Sequence, residues 1–169
     1  VLSFKEMSDP ATAPQYLPAR YEEKLRQLAA PLRPRKFLPS TETLPLAGVT
    51  LRADKYYELA RSWKMTVPFI GADWEMVVAE LLPEAKRRGV VSLQVVLNTG
   101  CPAIGAATEL LRTQGFFFGG LAPRWFGAGG GMMQQLADSE PDDEETKVYS
   151  EGAKDLMAFI RADKAALAA

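Results

Sequence analysis

A chain with one cysteine, Cys101, and no histidine has few ways to move a proton or attack a carbon near neutral pH. An internal disulfide, a Cys/His zinc site and any Ser-His or Cys-His nucleophile pair within the chain are excluded at once. Cys101 itself follows Asn98-Thr99-Gly100 and could serve as a nucleophile if its thiolate were stabilised, although no basic partner stands near it in sequence. The competing reading is a small residue filling a loop. Tyr149, Tyr56 and Tyr57 are phenols on other loops, able to donate a proton or simply to pack. Arg124-Trp125-Phe126, followed by Gly127 and a further glycine run, places an arginine beside two aromatics on a flexible connection. Such a loop reads as a lid over a ligand, as a patch that docks on another domain, or as aromatics tucked back on a sheet. No set of residues has metal-ligand spacing.

These side chains need elements to hold them. Asp73 is a helix N-cap by type, and Trp74, Val77, Val78, Leu81, Leu82 and Ala85 recur at the helical period. Lys86, Arg87, Arg88 and then Gly89 suit the helix end, while Pro83 conflicts with its interior and predicts a kink. Val90 to Leu97 is almost continuously apolar, as a buried central strand should be. Pro102 to Gln114 reads as the next helix, and Gly115 ends it. Phe116 to Leu121 and Met132 to Ala137 then pair as a hairpin. Phe116, Phe117 and Phe118 cannot all face one side of a strand, so one of them must meet something on the second face. Upstream, Val49 to Asp54 and Leu59 to Phe69 predict another hairpin, with Leu59, Arg61, Trp63 and Met65 on one side and a bulge or strand end at Pro68. A strand, a crossover helix and a second strand in this order place the chain in the α/β (α+β) class.

The flanks are less regular. Val1-Leu2-Ser3-Phe4-Lys5 reads as a strand, expected to be the last one of an upstream region. A helix follows over Ala19 to Ala30, started by Pro18 and stopped by Pro31. Four prolines from Pro31 to Pro45, with Arg33, Arg35 and Lys36, read as a solvated linker, which sets the expected boundary: 1–45 as the end of an upstream region and 46–169 as the main domain. Six of the eight residues from Asp138 to Glu145 are acidic, a second linker. Ser150 caps a final helix with Ala153, Leu156, Met157 and Ile160 as its docking face. Twenty basic against twenty-one acidic residues give a net charge of −1, which offers nothing to nucleic acid or anionic lipid. No apolar run reaches the roughly 20 residues that a membrane helix needs, so a cytoplasmic location is expected.

Gly89 to Val95, a helix, and then Leu110-Leu111-Arg112-Thr113-Gln114-Gly115-Phe116 resemble the second half of the GNAT acetyltransferase fold. Gly115-Phe116-Phe117-Phe118-Gly119-Gly120-Leu121-Ala122-Pro123 is similar, more narrowly, to a GNAT-like domain of multi-domain bacterial proteins that also carry a histidine-kinase-type ATPase region. Val1 to Lys5 and Tyr16 to Tyr21 resemble the junction that precedes it. The resemblance implies a mixed, centrally splayed β-sheet flanked by helices, with a C-terminal β-hairpin and terminal helix. It also implies acetyl-CoA or another acyl-CoA as cofactor, with Phe69, Ile70, Gly71, Ala72 and Asn98 around it, and the upstream domains as partners. Cys101 then lies near where an acyl thioester would sit.

The residues depart from that pattern in two places. Family members hold the CoA pyrophosphate with a Gln/Arg-x-x-Gly-x-Gly/Ala loop, whose equivalent here is Val67-Pro68-Phe69-Ile70-Gly71-Ala72-Asp73, with one glycine and no basic residue. Asp73 and Glu75 add carboxylates at the helix start. At an effective dielectric of about 20, like charges about 5 Å apart repel by roughly 3 kcal/mol, or about a hundredfold in affinity. The family's general-acid tyrosine position holds Leu111, which cannot transfer a proton. Two functions follow: acyl transfer from an acyl-CoA to an amine with weak or lost activity, and a non-catalytic sensor or docking module using Trp125, Phe126 and the terminal helix.

Overall fold

A computed structural model describes residues 14–32, 34–127, 129–137 and 147–167. The expected strand at Val1 to Lys5, Arg33 and the acidic run of 138–145 lie outside the described residues. The chain is mixed α/β. Its main sheet has five strands in the order β3-β4-β5-β7-β6, formed by β3 (Leu51–Tyr57), β4 (Ser62–Phe69), β5 (Ser92–Asn98), β7 (Gly129–Leu136) and β6 (Phe117–Pro123). β3 and β4 form an antiparallel hairpin, β4 and β5 run parallel, and β5–β7 and β7–β6 are antiparallel. The parallel pair requires a crossover, which α2 (Trp74–Arg87) supplies; α3 (Ile104–Thr113) connects β5 to β6. Before the sheet come β1 (Gln15–Leu17), α1 (Glu22–Ala29) and β2 (Phe37–Pro39), and after it α4 (Glu151–Ala165).

One face of the sheet carries the core. Trp63, Met65 and Val67 of β4, Leu93, Val95 and Leu97 of β5, Met133 and Phe118 meet Trp74, Val77, Val78 and Leu81 of α2 and Ile104, Ala107 and Leu111 of α3. Leu111, like Met65 and Leu93, is fully buried. The opposite face is more polar, presenting Ser62, Lys64, Thr66, Ser92, Gln94 and Gln134, but it also buries Val96 and Phe117, so one of the three consecutive phenylalanines is covered on the second face.

Several expectations change. The first hairpin turns at Glu58 to Arg61, not within Lys55 to Glu58, because the alternation that matters begins at Trp63; Leu59 stands in the turn, fully exposed. Residues 31–45 are not only a linker, since β2 pairs parallel with β1 and Ser40 N–H donates to Leu17 O. Strands of three residues with a terminal proline carry too little periodicity to be seen in sequence. Leu17, Tyr21 and Leu25 pack into the same core as the sheet, so among the described residues the boundary at 45 separates no second core. As expected, α2 continues through Pro83; both Pro83 and Ala79, whose carbonyl the proline leaves without its N–H, are exposed, and water can satisfy it. The second hairpin, the bulge near Pro68 and the Ser150 cap follow the sequence: register slips between Leu51 and Ala53 opposite Thr66 to Phe69, and Ser150 Oγ accepts from Ala153 N–H at 3.2 Å.

Candidate functional site

The parallel pairing of β4 with β5 runs from Ser62↔Ser92 to Val67↔Leu97 and stops there. Beyond it the chain offers Phe69, Ile70, Gly71 and Ala72 on one side and Asn98 to Cys101 on the other. The end of this pair is where the cofactor-loop residues and Cys101 come together. Asn98 bridges it: its Nδ2 donates to Pro68 O at 3.0 Å, and its Oδ1 accepts from Gly100 N–H at 2.8 Å. Both ends of the amide are thus committed to holding the two loops.

The loop after β4 is stitched to the segment before β3 rather than left open. Gly71 N–H donates to Thr50 Oγ1 at 2.9 Å, Ala72 N–H to Gly48 O at 3.0 Å, and Thr50 N–H to Asp73 Oδ1 at 2.7 Å. Gly71 is a glycine for a steric reason: a Cβ there would lie 2.4 Å from Thr50 N and 2.5 Å from Val49 C. Ile70 is fully buried in the core, and Phe69 is partly exposed, paired across the hairpin with Leu51. The expected Asp73 cap is therefore corrected. Its side chain makes no bond to its own helix, because the Thr50 amide takes the carboxylate. The Thr50 hydrogen bonds hold that carboxyl below its usual range, with a smaller contribution from Arg52, so a negative charge persists at the start of α2. Thr50 and Gly48 are the partners of this loop that sequence reasoning missed; a lone threonine about twenty residues away gives no local signal.

Cys101 is half-buried, packs against the core and donates its N–H to Asn98 O at 3.1 Å. Tyr149 is 83% exposed ahead of α4, an element that packs on β6, two strands away from β5. The fold thus brings Cys101 beside Asn98 but gives Tyr149 no place beside them.

Trp125 is folded back on the polar face of the sheet. Lys64 Nζ sits 4.1 Å from the centre of its ring, and a Cβ on Gly130 would lie 3.2 Å from Trp125 Cβ and 2.7 Å from Val96 Cγ1. The loop reaches this position at a conformational cost, since Arg124 and Phe126 both have positive φ, 59° and 60°. A bulky residue in that region is an outlier that the surrounding contacts must support.

A separate depression of about 510 Å³ lies between β3, β4 and α2, lined by Arg52, Asp54, Trp63, Glu84, Arg87 and Arg88 among others. Its charges are spent on one another. Arg52 and Asp54 are 3.4 Å apart, Arg88 meets Glu84 at 2.6 Å, and Asp54 accepts from Trp63 Nε1 at 2.9 Å. The Arg87 and Arg88 guanidinium groups bring the Glu84 carboxyl down to about 2.

The most elaborate polar cluster lies elsewhere. Asp163 of α4 accepts from Arg112 Nη1 at 2.7 Å, from Tyr21 OH at 2.8 Å and from Phe118 N–H at 2.7 Å. Beside it Tyr21, Phe118 and Phe159 form a ring triad with centroids 5.0 to 6.3 Å apart. Lys24 Nζ, itself buried, reaches Asp155 at 2.7 Å. These contacts lock the last helix across the β6 edge; Lys164 lies 6.0 Å from the Phe117 ring. Among the described residues no group of three or more His, Cys, Asp and Glu is placed to hold a metal ion, and no helix is long and apolar enough to cross a membrane. Comparison of the chain with family models, curated proteins and solved structures finds no match in any of the three.

Proposed function

We propose that this chain is a GNAT-like domain that keeps the sheet of the acyl-CoA N-acyltransferases without their cofactor loop, and that it works as a non-catalytic interaction module of a larger bacterial regulatory protein. One observation carries the reading. The amides of Gly71 and Ala72, which would have to face a pyrophosphate, already donate to Thr50 Oγ1 and Gly48 O. Freeing them would leave the Thr50 hydroxyl and the Gly48 carbonyl without these partners, and Asp73 would still oppose a diphosphate at the head of α2. Leu111 in the core adds to this, since it stands where the family's general acid would be.

The interaction surface is the strained Arg124-Trp125-Phe126 loop together with α4, and the partner is an upstream domain of the same polypeptide, an ATPase region by the resemblance. Isothermal titration with acetyl-CoA tests the loss of the cofactor site. No saturable heat up to about 1 mM ligand is expected, whereas a dissociation constant in the micromolar range would overturn the reading.

Acyl transfer remains the second reading because of one feature. Parallel pairing of β4 with β5 ends at Val67↔Leu97 beside a bulge, at the end of the pair where a pantetheine arm would enter. In that case Cys101 and Asn98 line the entrance, and titration would give the micromolar outcome.

A further inference from the structure

The two edges of the main sheet are treated differently. At β6, α4 lies along the strand and Asp163 takes the Phe118 N–H. At the other end, among the described residues, β3 has β4 as its only strand neighbour, and six of its seven residues are exposed. Around it stand exposed apolar side chains, Val49, Leu51, Tyr57 and Leu59. An exposed strand seven residues long is a template for another strand unless its side chains forbid it.

The side chains of β3 oppose three of the central self-pairings and favour a fourth. In a two-fold antiparallel pair each residue on the axis faces its own copy, and faces of the sheet are preserved. An axis at Asp54 opposes two carboxylates, one at Lys55 two ammonium groups, and one at Arg52 two guanidinium groups, each destabilising. An axis at Ala53 opposes two methyl groups instead. It sets Arg52 of each chain against Asp54 of the other, Leu51 against Lys55, and, just beyond the strand, Val49 against Tyr57. Arg52 and Asp54 already share a face, 3.4 Å apart, so each can turn from its neighbour in the strand to its counterpart across the axis. We infer that two copies of this chain pair through β3, with the two-fold axis at Ala53, to form a continuous ten-stranded sheet closed at both outer edges by α4.

Sedimentation of the full chain at about 100 μM is expected to show a species of twice the chain mass. Arg52→Asp alone and Asp54→Arg alone each convert the two attractive cross-strand pairs into repulsive ones and should weaken dimerisation by at least about tenfold. The far-ultraviolet circular dichroism of Arg52→Asp should be unchanged, since that position is on an exposed strand; Asp54→Arg also removes the acceptor of Trp63 Nε1 and should keep the sheet signal with a lower urea midpoint. An equimolar mixture of the two single variants sets acidic residues of one chain against basic residues of the other and should regenerate the dimer. A wild-type chain that stays monomeric overturns the inference. So does a dimer indifferent to the single variants, or a mixture that fails to associate.

Discussion

Tyr21 and Asp163 show what a single buried contact does in this molecule. Burial, and then the hydrogen bond to the Asp163 carboxylate, raise the Tyr21 phenol well above its ordinary value of 10.0. A group whose pKa is higher in the folded state contributes stability that is complete below its unfolded value and is lost as pH rises past it. Unfolding free energy should therefore fall above about pH 10, with a slope of up to about 1.4 kcal/mol per pH unit from this residue. Urea titrations of the wild type and Tyr21→Phe between pH 8 and 11 check it, the variant losing that part of the slope. Asp163→Ala leaves the buried Arg112 guanidinium without its carboxylate, with only Tyr21 OH to accept from it, and Phe118 N–H without its acceptor, and should cost about 3 to 5 kcal/mol in the same assay. Gly71→Ala, at a cofactor loop, would change ligand affinity and leave stability alone. Here a Cβ only 2.4 Å from Thr50 N predicts a loss of about 1 to 3 kcal/mol, read as a shift in the urea midpoint.

At the level of elements, local patterning was enough wherever one period ran long enough. The apolar stripe from Trp74 to Ala85 and the continuous run ending at Leu97 gave α2 and β5 within a few residues, and Pro68 marked the bulge. Sequence failed where a local rule competes with a distant partner. Asp73 has the side chain of an N-cap, yet the amide of Thr50, brought in by the first hairpin, takes it. β1 and β2 escaped notice because their pairing joins two short proline-flanked pieces around a helix. The docking face of α4 was legible in Leu156 and Ile160, but Phe159 and Asp163 complete it from the same helix through partners 41 to 142 residues away in the chain. The Arg124-Trp125-Phe126 loop is the element on which the proposed interaction rests. Trp125→Ala with Phe126→Ala should leave the urea midpoint nearly unchanged, because both side chains are only half-buried, and should weaken binding to the upstream region at least tenfold. Pull-down with that region, supplied as a separate polypeptide, reads the loss.

For the molecule as a whole, the α/β class was readable from the order of strands and helices, and the five-stranded mixed sheet accords with it. The expected chemistry rested on departures from the resemblance: Leu111, the single glycine at 71, and Asp73 and Glu75 at the head of α2. What no pattern conveyed is that the loop at Gly71 is occupied by its own chain, through Thr50 and Gly48, and that Asn98 joins the ends of β4 and β5. Hydrogen bonds between segments twenty to thirty residues apart leave no periodic trace. The amides of Gly71 and Ala72 report on this loop directly. In ¹H–¹⁵N spectra of the full chain they should exchange slowly with solvent and keep their positions as acetyl-CoA is added to about 1 mM. Saturable shifts of these two amides, with fast exchange in the free protein, would contradict the account.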